Sequence, residues 1–338
     1  MSRSIILSFL LVLLLLTAVV SLTLGKYPVT LSDTCLFFVG KIFNQRPATI
    51  LDPDLLENLL LSIRLPRIIA AMLVGASLAA SGAAFQAMFV NPLVSPGLLG
   101  VLAGASFGAA LGMIVAKSWL AVQICTFLFG FAAVMIAIGI ARIYRGNTIL
   151  LLILGGVISG AMFTSLLSIV KYSADPYDKL PAIVYWLMGG LSLADGQTVL
   201  CVAVPMTISM VAITSLSGYL NVLSMGDEEA KALGVPVQRI RLLMIFLATM
   251  ASALTVVIAG MIQWVGLIIP HIARMLVGPN NRILIPASIL IGATYLVVVD
   301  DVSRLLFNVE IPIGIVTSLV GIPFFVLVLR KANRGWGA

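Results

Sequence analysis

The sequence predicts an all-α integral membrane protein of about ten transmembrane helices, with both termini cytoplasmic. Three observations carry this expectation. The 338 residues are 61% hydrophobic and only 10% charged, against about 25% charged in globular domains. No Asp, Glu, Lys or Arg occurs between Arg67 and Lys117 or between Arg241 and Arg274, and a crossing helix needs about 20 apolar residues, so the first gap holds two crossings. The net charge of +7 is spread singly among the loops, without the basic patch and interleaved aromatics of a nucleic-acid surface; nucleic acid is excluded as a partner.

In chain order, Arg3 precedes a first helix over Ile5 to Leu24, long enough to span and followed by no A-x-A cleavage site. Lys26 to Glu57 carries prolines and mixed charge, including Asp33, Lys41 and Arg46, and reads as an outer loop with short interfacial helices. A second helix starts near Arg64 and presents Gly75, Ala76, Ala79, Ala80, Gly82 and Ala83, a small-residue face that lets neighbouring backbones approach closely. Asn91-Pro92 and Pro96-Gly97 break it. The third helix runs over Leu98 to Val115, Lys117 marks the outer turn, and the fourth runs from Trp119 to Ile140. The loop Arg142 to Asn147 leads to the fifth, Thr148 to Val170.

Beyond Lys171, Asp175-Pro-Tyr-Asp178 and Pro181 interrupt regular structure, and Ile183 to Met188 is expected as a short re-entrant helix. The sixth helix is Thr198 to Leu216. The seventh runs from beyond Arg241 to Val257, the eighth over Met261 to Val277 with a kink at Pro270, the ninth over Ile283 to Val299 and the tenth over Ile315 to Leu329. This layout puts Arg3, Arg142, Arg145, Lys231, Arg239, Arg241, Arg274, Arg282, Arg330, Lys331 and Arg334 inside, only just over half of the 20 basic residues, so the positive-inside bias is weak. Arg64, Arg67 and Arg304 sit at helix ends facing the outer compartment, where they either snorkel to head groups or await an acidic partner. Asp300, Asp301 and Arg304 are spaced for i,i+3 and i,i+4 ion pairs at a solvated helix terminus. The segments from Arg64 to Pro92 and from Arg239 to Pro270 share an Arg-led, small-residue helix followed by Gly, Gln and Pro, which would fit an inverted duplication.

Between the sixth and seventh helices lies a polar island, Ser224 to Pro236. Asp227, Glu228 and Glu229 crowd the start of a helix expected to run two or three turns, where exposed N–H groups favour anions, and Ser224 stands as a loose capping residue. Gly234 and Pro236 supply stop signals. Such a segment is either a solvated loop or a docking element for another protein.

Catalytic chemistry is missing from the pattern. There is no GxxxxGK phosphate loop, no Ser/His/Asp set, and a single histidine, His271, suited to helix packing. Cys35, Cys125 and Cys201 are isolated, which excludes a CxxC metal or redox pair. The predicted helix centres hold no Asp, Glu, Lys or Arg, unlike those of ion-coupled transporters. That leaves a pore of small, apolar and weakly polar groups opened by force applied elsewhere. Gln86, Asn91 and Pro92 either line it or satisfy the broken backbone at the helix end.

Taken together, Arg64-Leu-Pro-Arg67, Gly75-Ala-x-Leu-Ala79-x-Ser-Gly82, Gln86, Asn91-Pro-Leu93, Pro96-x-Leu-Leu-Gly100, Ala230-x-x-Leu-Gly234-Val, the run from Gly260 through Pro270-His271 to Arg274, and Glu310-Ile-Pro-x-Gly314 resemble the FecCD/BtuC-like permeases. These are the membrane subunits of type II ABC importers for iron-siderophores, haem and cobalamin, and the match covers nearly the whole chain. The resemblance implies a BtuC-like fold in which residues 1–338 form a single permease domain in a bacterial or archaeal inner membrane. It also implies a second permease subunit, two ATPase subunits and a periplasmic or lipid-anchored binding protein as partners. ATP and Mg would sit in the ATPase, with no cofactor, metal or catalytic residue in this chain.

Ser224, Gly226, Asp227, Glu228, Glu229, Ala230, Leu233 and Gly234 match the family's coupling helices, which seat in the ATPase. Arg64, Arg67 and Arg304 match outward arginines that receive glutamates of the binding protein. Val90, where the family usually has Arg, and Gln263-Trp264 depart from the pattern and bear on the pathway wall. A metal chelate is the leading cargo, molybdate or tungstate the alternative, and a stand-alone secondary transporter or channel the reading from another class.

Overall fold

The computed structural model of the chain describes residues 3–43, 52–116, 118–143 and 148–333. Arg46, Lys117, Arg145 and Arg334 lie outside the described residues. The described chain runs through α1 (Arg3–Thr23), α2 (Leu31–Ile42), α3 (Pro53–Glu57), a π-helical turn (Asn58–Arg64) that merges into α4 (Leu65–Met88), and a 3-10 turn (Pro96–Leu99). There follow α5 (Val101–Val115), α6 (Trp119–Ile143), α7 (Thr148–Ser173), α8 (Lys179–Leu187), α9 (Gly196–Ser215), α10 (Ser217–Leu223) and α11 (Asp227–Ala232). The chain closes with α12 (Val237–Ala259), α13 (Val265–Val277), α14 (Asn281–Leu305) and α15 (Ile313–Asn333). Among the described residues seven helical stretches are long and apolar enough to cross a membrane: α1, the run from α3 to α4, α6, α7, α9, α12 and α14. The helices α5, α13 and the first part of α15 are apolar but shorter.

Two helices form the axis of the bundle. In the most apolar stretches of the α3–α4 run and of α12, 83% and 78% of residues are buried within the chain, against 17% in α1. The first two are therefore held by protein on all sides, while α1 offers most of its surface to lipid. Small side chains are what allow this. A Cβ on Gly75 would come within 2.1 Å of the Gly292 carbonyl oxygen, and one on Gly292 within 2.4 Å of the Gly75 carbonyl, so α4 and α14 touch backbone to backbone. Between helices in lipid, where burial of apolar surface gives no net drive, such close packing supplies the attraction.

Several expected boundaries move. The helix expected to end at Val299 continues to Leu305, carrying Asp300, Asp301 and Arg304 into its last turns, where all three are buried rather than solvated. The charged island holds a six-residue helix in place of two or three turns. The start expected for the eighth helix is unwound: 261–264 is not helical, and Gly260 (φ 62°) and Trp264 (φ 70°) both take positive φ. Between α1 and α4 the chain forms the expected short helices, α2 and α3, and together with Val29 and the π-helical turn they close a small core of Val29, Phe37, Leu56 and Leu60.

Replacing Gly75 with Val would force α4 from α14, because the obstructing atom is backbone and cannot rotate away. The expected loss is about 1–3 kcal/mol or more, read as a lowered unfolding midpoint of the purified protein in detergent. An unchanged midpoint would contradict the close contact.

Candidate functional site: a helical hairpin, a buried ion-pair cluster and a neutral cavity

The polar island is half of a hairpin formed by α10 and α11. Its C-terminal end is locked by paired backbone bonds, Gly234 N–H to Lys231 O at 2.9 Å and Val235 N–H to Ala230 O at 3.0 Å, with Gly234 at φ 76°. This is a Schellman closure, which requires a left-handed residue after the helix and so selects glycine. The hairpin is tied to its surroundings at two places. Arg241 of α12 donates from Nη1 and Nη2 to the two Asp227 oxygens at 3.0 and 2.6 Å, and the Asn221 amide bridges to Asn280 and to the Asn281 backbone at 2.9 and 2.8 Å. Glu228 and Lys231 form a 2.8 Å pair in solvent, of little energetic weight.

This geometry divides the expected coupling residues. Met225 and Leu233 are each 62% exposed, and Glu228 and Glu229 are exposed beside them, so two large apolar side chains and two carboxylates form an open surface. Ala230, by contrast, is completely buried in the apolar cluster that contains Leu220, Leu223, Val237 and Met244; it anchors the helix and has no side-chain surface to offer a partner. Ser224 does not cap α11: its hydroxyl donates to the Asn221 carbonyl at 2.8 Å, and the N-cap position is Gly226. Met225 was not among the residues singled out from the sequence. An apolar residue next to a charge run gives no signal until its exposure is known.

At the far end of α14 the three arginines are already engaged. Arg67 donates to Asp300 at 2.9–3.1 Å and to Glu310 at 3.1–3.2 Å. Arg304 pairs with Asp300 at 3.1 Å and with Asp301, and Ser21 of α1 donates to Asp301 at 2.7 Å. Arg64 donates to the Leu22 and Tyr27 carbonyls at 2.5 and 2.6 Å. The expectation of cations snorkelling or awaiting a partner is corrected: all three are buried, because the partners lie within the chain. Of the carboxylates only Glu310 keeps a substantial open edge, at 33% side-chain exposure.

A cavity of about 490 Å³ opens between α4, the Pro96 turn, α5, α7 and the unwound 261–264 segment. Among the described residues its polar lining is Ser95, Ser106, Thr164, Gln263 and Trp264, with no ionisable side chain. Gln86 does not line it. This side chain is buried, donating to the Leu267 carbonyl and accepting from Arg274, both at 3.1 Å, and so joins α4 to the Pro270-containing α13. Asn91 closes its own turn by accepting from the Leu93 N–H at 2.9 Å, and Pro92 is exposed next to it. The cavity wall instead begins at Ser95.

Residues 13–331 match the FecCD transport family. The chain belongs to that family. It is 41% identical over 324 residues to the molybdate import system permease protein MolB of Haemophilus influenzae, covering 96% of this chain and 94% of that protein. It is 33% identical over 288 residues to the vitamin B12 import system permease protein BtuC of Vibrio vulnificus, covering 82% and 84%. A solved structure described as an inward-facing conformation of a metal-chelate type ABC transporter superposes with a TM-score of 0.85 at 40% identity, covering 96% of this chain and 99% of that one. This FecCD chain is therefore a multi-pass membrane protein and a permease of the ABC importers, whose permeases work with ATPase and binding-protein partners.

The Asp227–Arg241 bond gives a pH signature. The Arg241 guanidinium donating to it holds the Asp227 carboxyl below the usual carboxylate range. A lowered folded value means that the pair contributes fully above that range and is lost as pH falls through the lower value. Hydrogen exchange of the α11 amides, corrected for intrinsic rates, should accelerate only in acid below the ordinary carboxylate range, and Asp227→Asn should abolish that step while raising exchange at neutral pH. Acceleration already near neutral pH in the unaltered protein would contradict the pair as the anchor.

Proposed function

We propose that this FecCD permease forms the pathway through which an ATP-driven importer moves a small oxyanion of the molybdate class across a bacterial or archaeal cell membrane. The observation that carries the cargo is the 41% identity to a molybdate permease across 96% of the chain. The neutral cavity supports it. Hydroxyl and amide groups offer hydrogen bonds to anionic oxygens, yet without a fixed cation the site does not trap the ion, and conduction requires binding weak enough to release. A metal chelate is the second reading, favoured by the description of the structural neighbour and by the vitamin B12 relative.

In this reading α1, α4, α5, α6, α7, α9, α12, α13, α14 and α15 are the ten crossings, with both termini cytoplasmic. Two such subunits stand beside two ATPases, beneath a binding protein. The α10–α11 hairpin is the ATPase contact, through Met225, Glu228, Glu229 and Leu233. At the opposite end, Arg67 and Arg304 meet the binding protein by exchange, its carboxylates replacing those already held, with Glu310 the readiest to be displaced, and Arg64 meets it by releasing the Leu22 and Tyr27 carbonyls.

Leu233→Asp should leave the fold unchanged, because the side chain is exposed, and should abolish ATP-dependent molybdate uptake into proteoliposomes together with co-purification of the ATPase. Retained uptake would overturn the hairpin as the contact. Uptake of a ferric chelate without molybdate would select the second reading.

Removing the competing carboxylate tests the exchange. Glu310→Gln should strengthen binding-protein capture roughly tenfold, the worth of one charge-assisted hydrogen bond, measured by surface-immobilised titration. Unchanged or weaker capture would count against exchange.

A further inference from the structure

The wall of the 490 Å³ cavity is not equipped alike on its two sides. Ser106 of α5 and Thr164 of α7 commit their hydroxyl protons within their own helices, to the Leu102 carbonyl at 2.7 Å and the Gly160 carbonyl at 2.8 Å. What these two hydroxyls have left to offer is acceptor lone pairs. The unwound link 261–264 between α12 and α13 is the reverse, a run of donors. We propose that this link is where the pathway receives its cargo, a fully ionised tetrahedral oxyanion, through the backbone N–H groups of Met261, Ile262, Gln263 and Trp264 together with the Gln263 side-chain amide; the inference rests on the oxyanion reading above.

The acceptors around the link are already occupied. The Ala259 carbonyl accepts from the Gly190 N–H at 2.9 Å, the Gln263 carbonyl from the Val265 N–H at 2.9 Å, and the Trp264 carbonyl from the N–H groups of Leu267 and Ile268 at 3.0 and 2.9 Å. The Met261 carbonyl is pressed against Gly189 and Gly314, where an added Cβ would come within 2.4 and 2.8 Å of its oxygen. The donors are in the opposite condition. None of the four N–H groups from Met261 to Trp264 has an acceptor among the described residues, and neither has the amide of the exposed Gln263 side chain. A backbone donor kept from bulk water must find a partner elsewhere. All four residues border the cavity, and Ile262 is only 3% exposed, so the acceptor within reach is whatever the cavity contains. Non-helical backbone in a membrane-crossing bundle is tolerated where it lines such a space.

Four neutral donors in one short stretch suit a ligand that only accepts. A fully ionised oxyanion presents acceptor oxygens on every side and has no proton to give, whereas a cargo without such oxygens would leave the N–H groups unpaired at a cost of about 1–3 kcal/mol each. Peptide dipoles also lack the full charge of an arginine or lysine, so they receive the ion and release it, as conduction requires. On the α5 and α7 side the Ser106 and Thr164 lone pairs suit the water that accompanies the ion.

The reading and the inference are tested separately. Uptake of molybdate into proteoliposomes by the complete transporter tests the reading. Hydrogen exchange of the full-length permease in nanodiscs tests the link, with sodium molybdate titrated against sodium chloride at matched ionic strength and deuterium followed by mass spectrometry. The amides of 261–264 should exchange severalfold more slowly in molybdate than in chloride. Gln263→Leu, at an exposed position, should raise the molybdate concentration needed for half of that effect roughly tenfold, and Trp264→Phe, which keeps an aromatic ring beside Phe325, should leave the backbone protection in place. Molybdate uptake without protection at 261–264, equal protection by chloride, or the same half-effect concentration in Gln263→Leu would overturn the link as the receiving element and leave the oxyanion reading standing. Protection without uptake would sink that reading and keep the link as an oxyanion site.

Discussion

The contact between α4 and α14 constrains everything else in the molecule. At its middle Gly75 and Gly292 bring two backbones together, and at one end Arg67 grips Asp300 through both Nε and Nη2. The two features act differently. Close packing holds the helices together but is tolerant of sliding, whereas a bidentate ion pair has one geometry and so fixes the register. Breaking it on one side would strand a buried charge, at about 3–5 kcal/mol. The pair is weak evidence for net stability and stronger evidence for specificity. Arg304 and Glu310 complete the neutralisation, which is why so many charges are accommodated at a helix end packed against α1 and α4.

A helix of 25 residues is about 37 Å long at 1.5 Å per residue, so α14 connects the two ends of the molecule directly. Its last turns hold the arginine cluster, and the residues at its start, Asn280 and Asn281, hold Asn221 of the hairpin. From the other side the hairpin is fastened through Asp227 to α12, and α12 shares with α4 the most enclosed position in the bundle. Any displacement of α11 would therefore be passed to two long helices that flank α4. Rigid elements joined at few points transmit displacement as units, and the neutral cavity, bounded on one side by α4 and on another by the segment that follows α12, lies where such a displacement would change its shape.

The helical segments were legible in the sequence because length and apolarity act locally: each predicted crossing coincides with a helix, although α12 starts earlier, α13 starts later and α14 ends six residues later than expected. The small-residue face of α4 was legible for the same reason. What could not be read was pairing across distance. Arg67 and Asp300 are 233 residues apart and Gln86 and Arg274 are 188 apart, so the arginines looked free and Gln86 looked available to a pathway. Orientation about a short helix was equally hidden. Ala230 and Leu233 are three residues apart in one motif, yet the first is core and the second surface. The 261–264 break was missed because its residues are apolar enough to continue a helix, and only positive φ at Trp264, a costly conformation for a bulky residue, marks it as set by its surroundings.

That strain falls at the cavity, and the distribution of charge around it follows a consistent logic. The chain contains 20 basic residues, and several are buried within it, yet among the described residues none lines the 490 Å³ space. Arg274 is nearby and its guanidinium is turned to the Gln86 amide oxygen, while Arg64, Arg67 and Arg304 are committed to carbonyls and carboxylates at the end of α14. A cation left facing the space would bind an anionic cargo tightly and repel a cationic one, so either way it would impede passage. Keeping the wall to Ser, Thr, Gln and indole leaves a surface that hydrogen-bonds without holding. Selection can then rest with the protein that delivers the cargo, and direction with the partner that hydrolyses ATP.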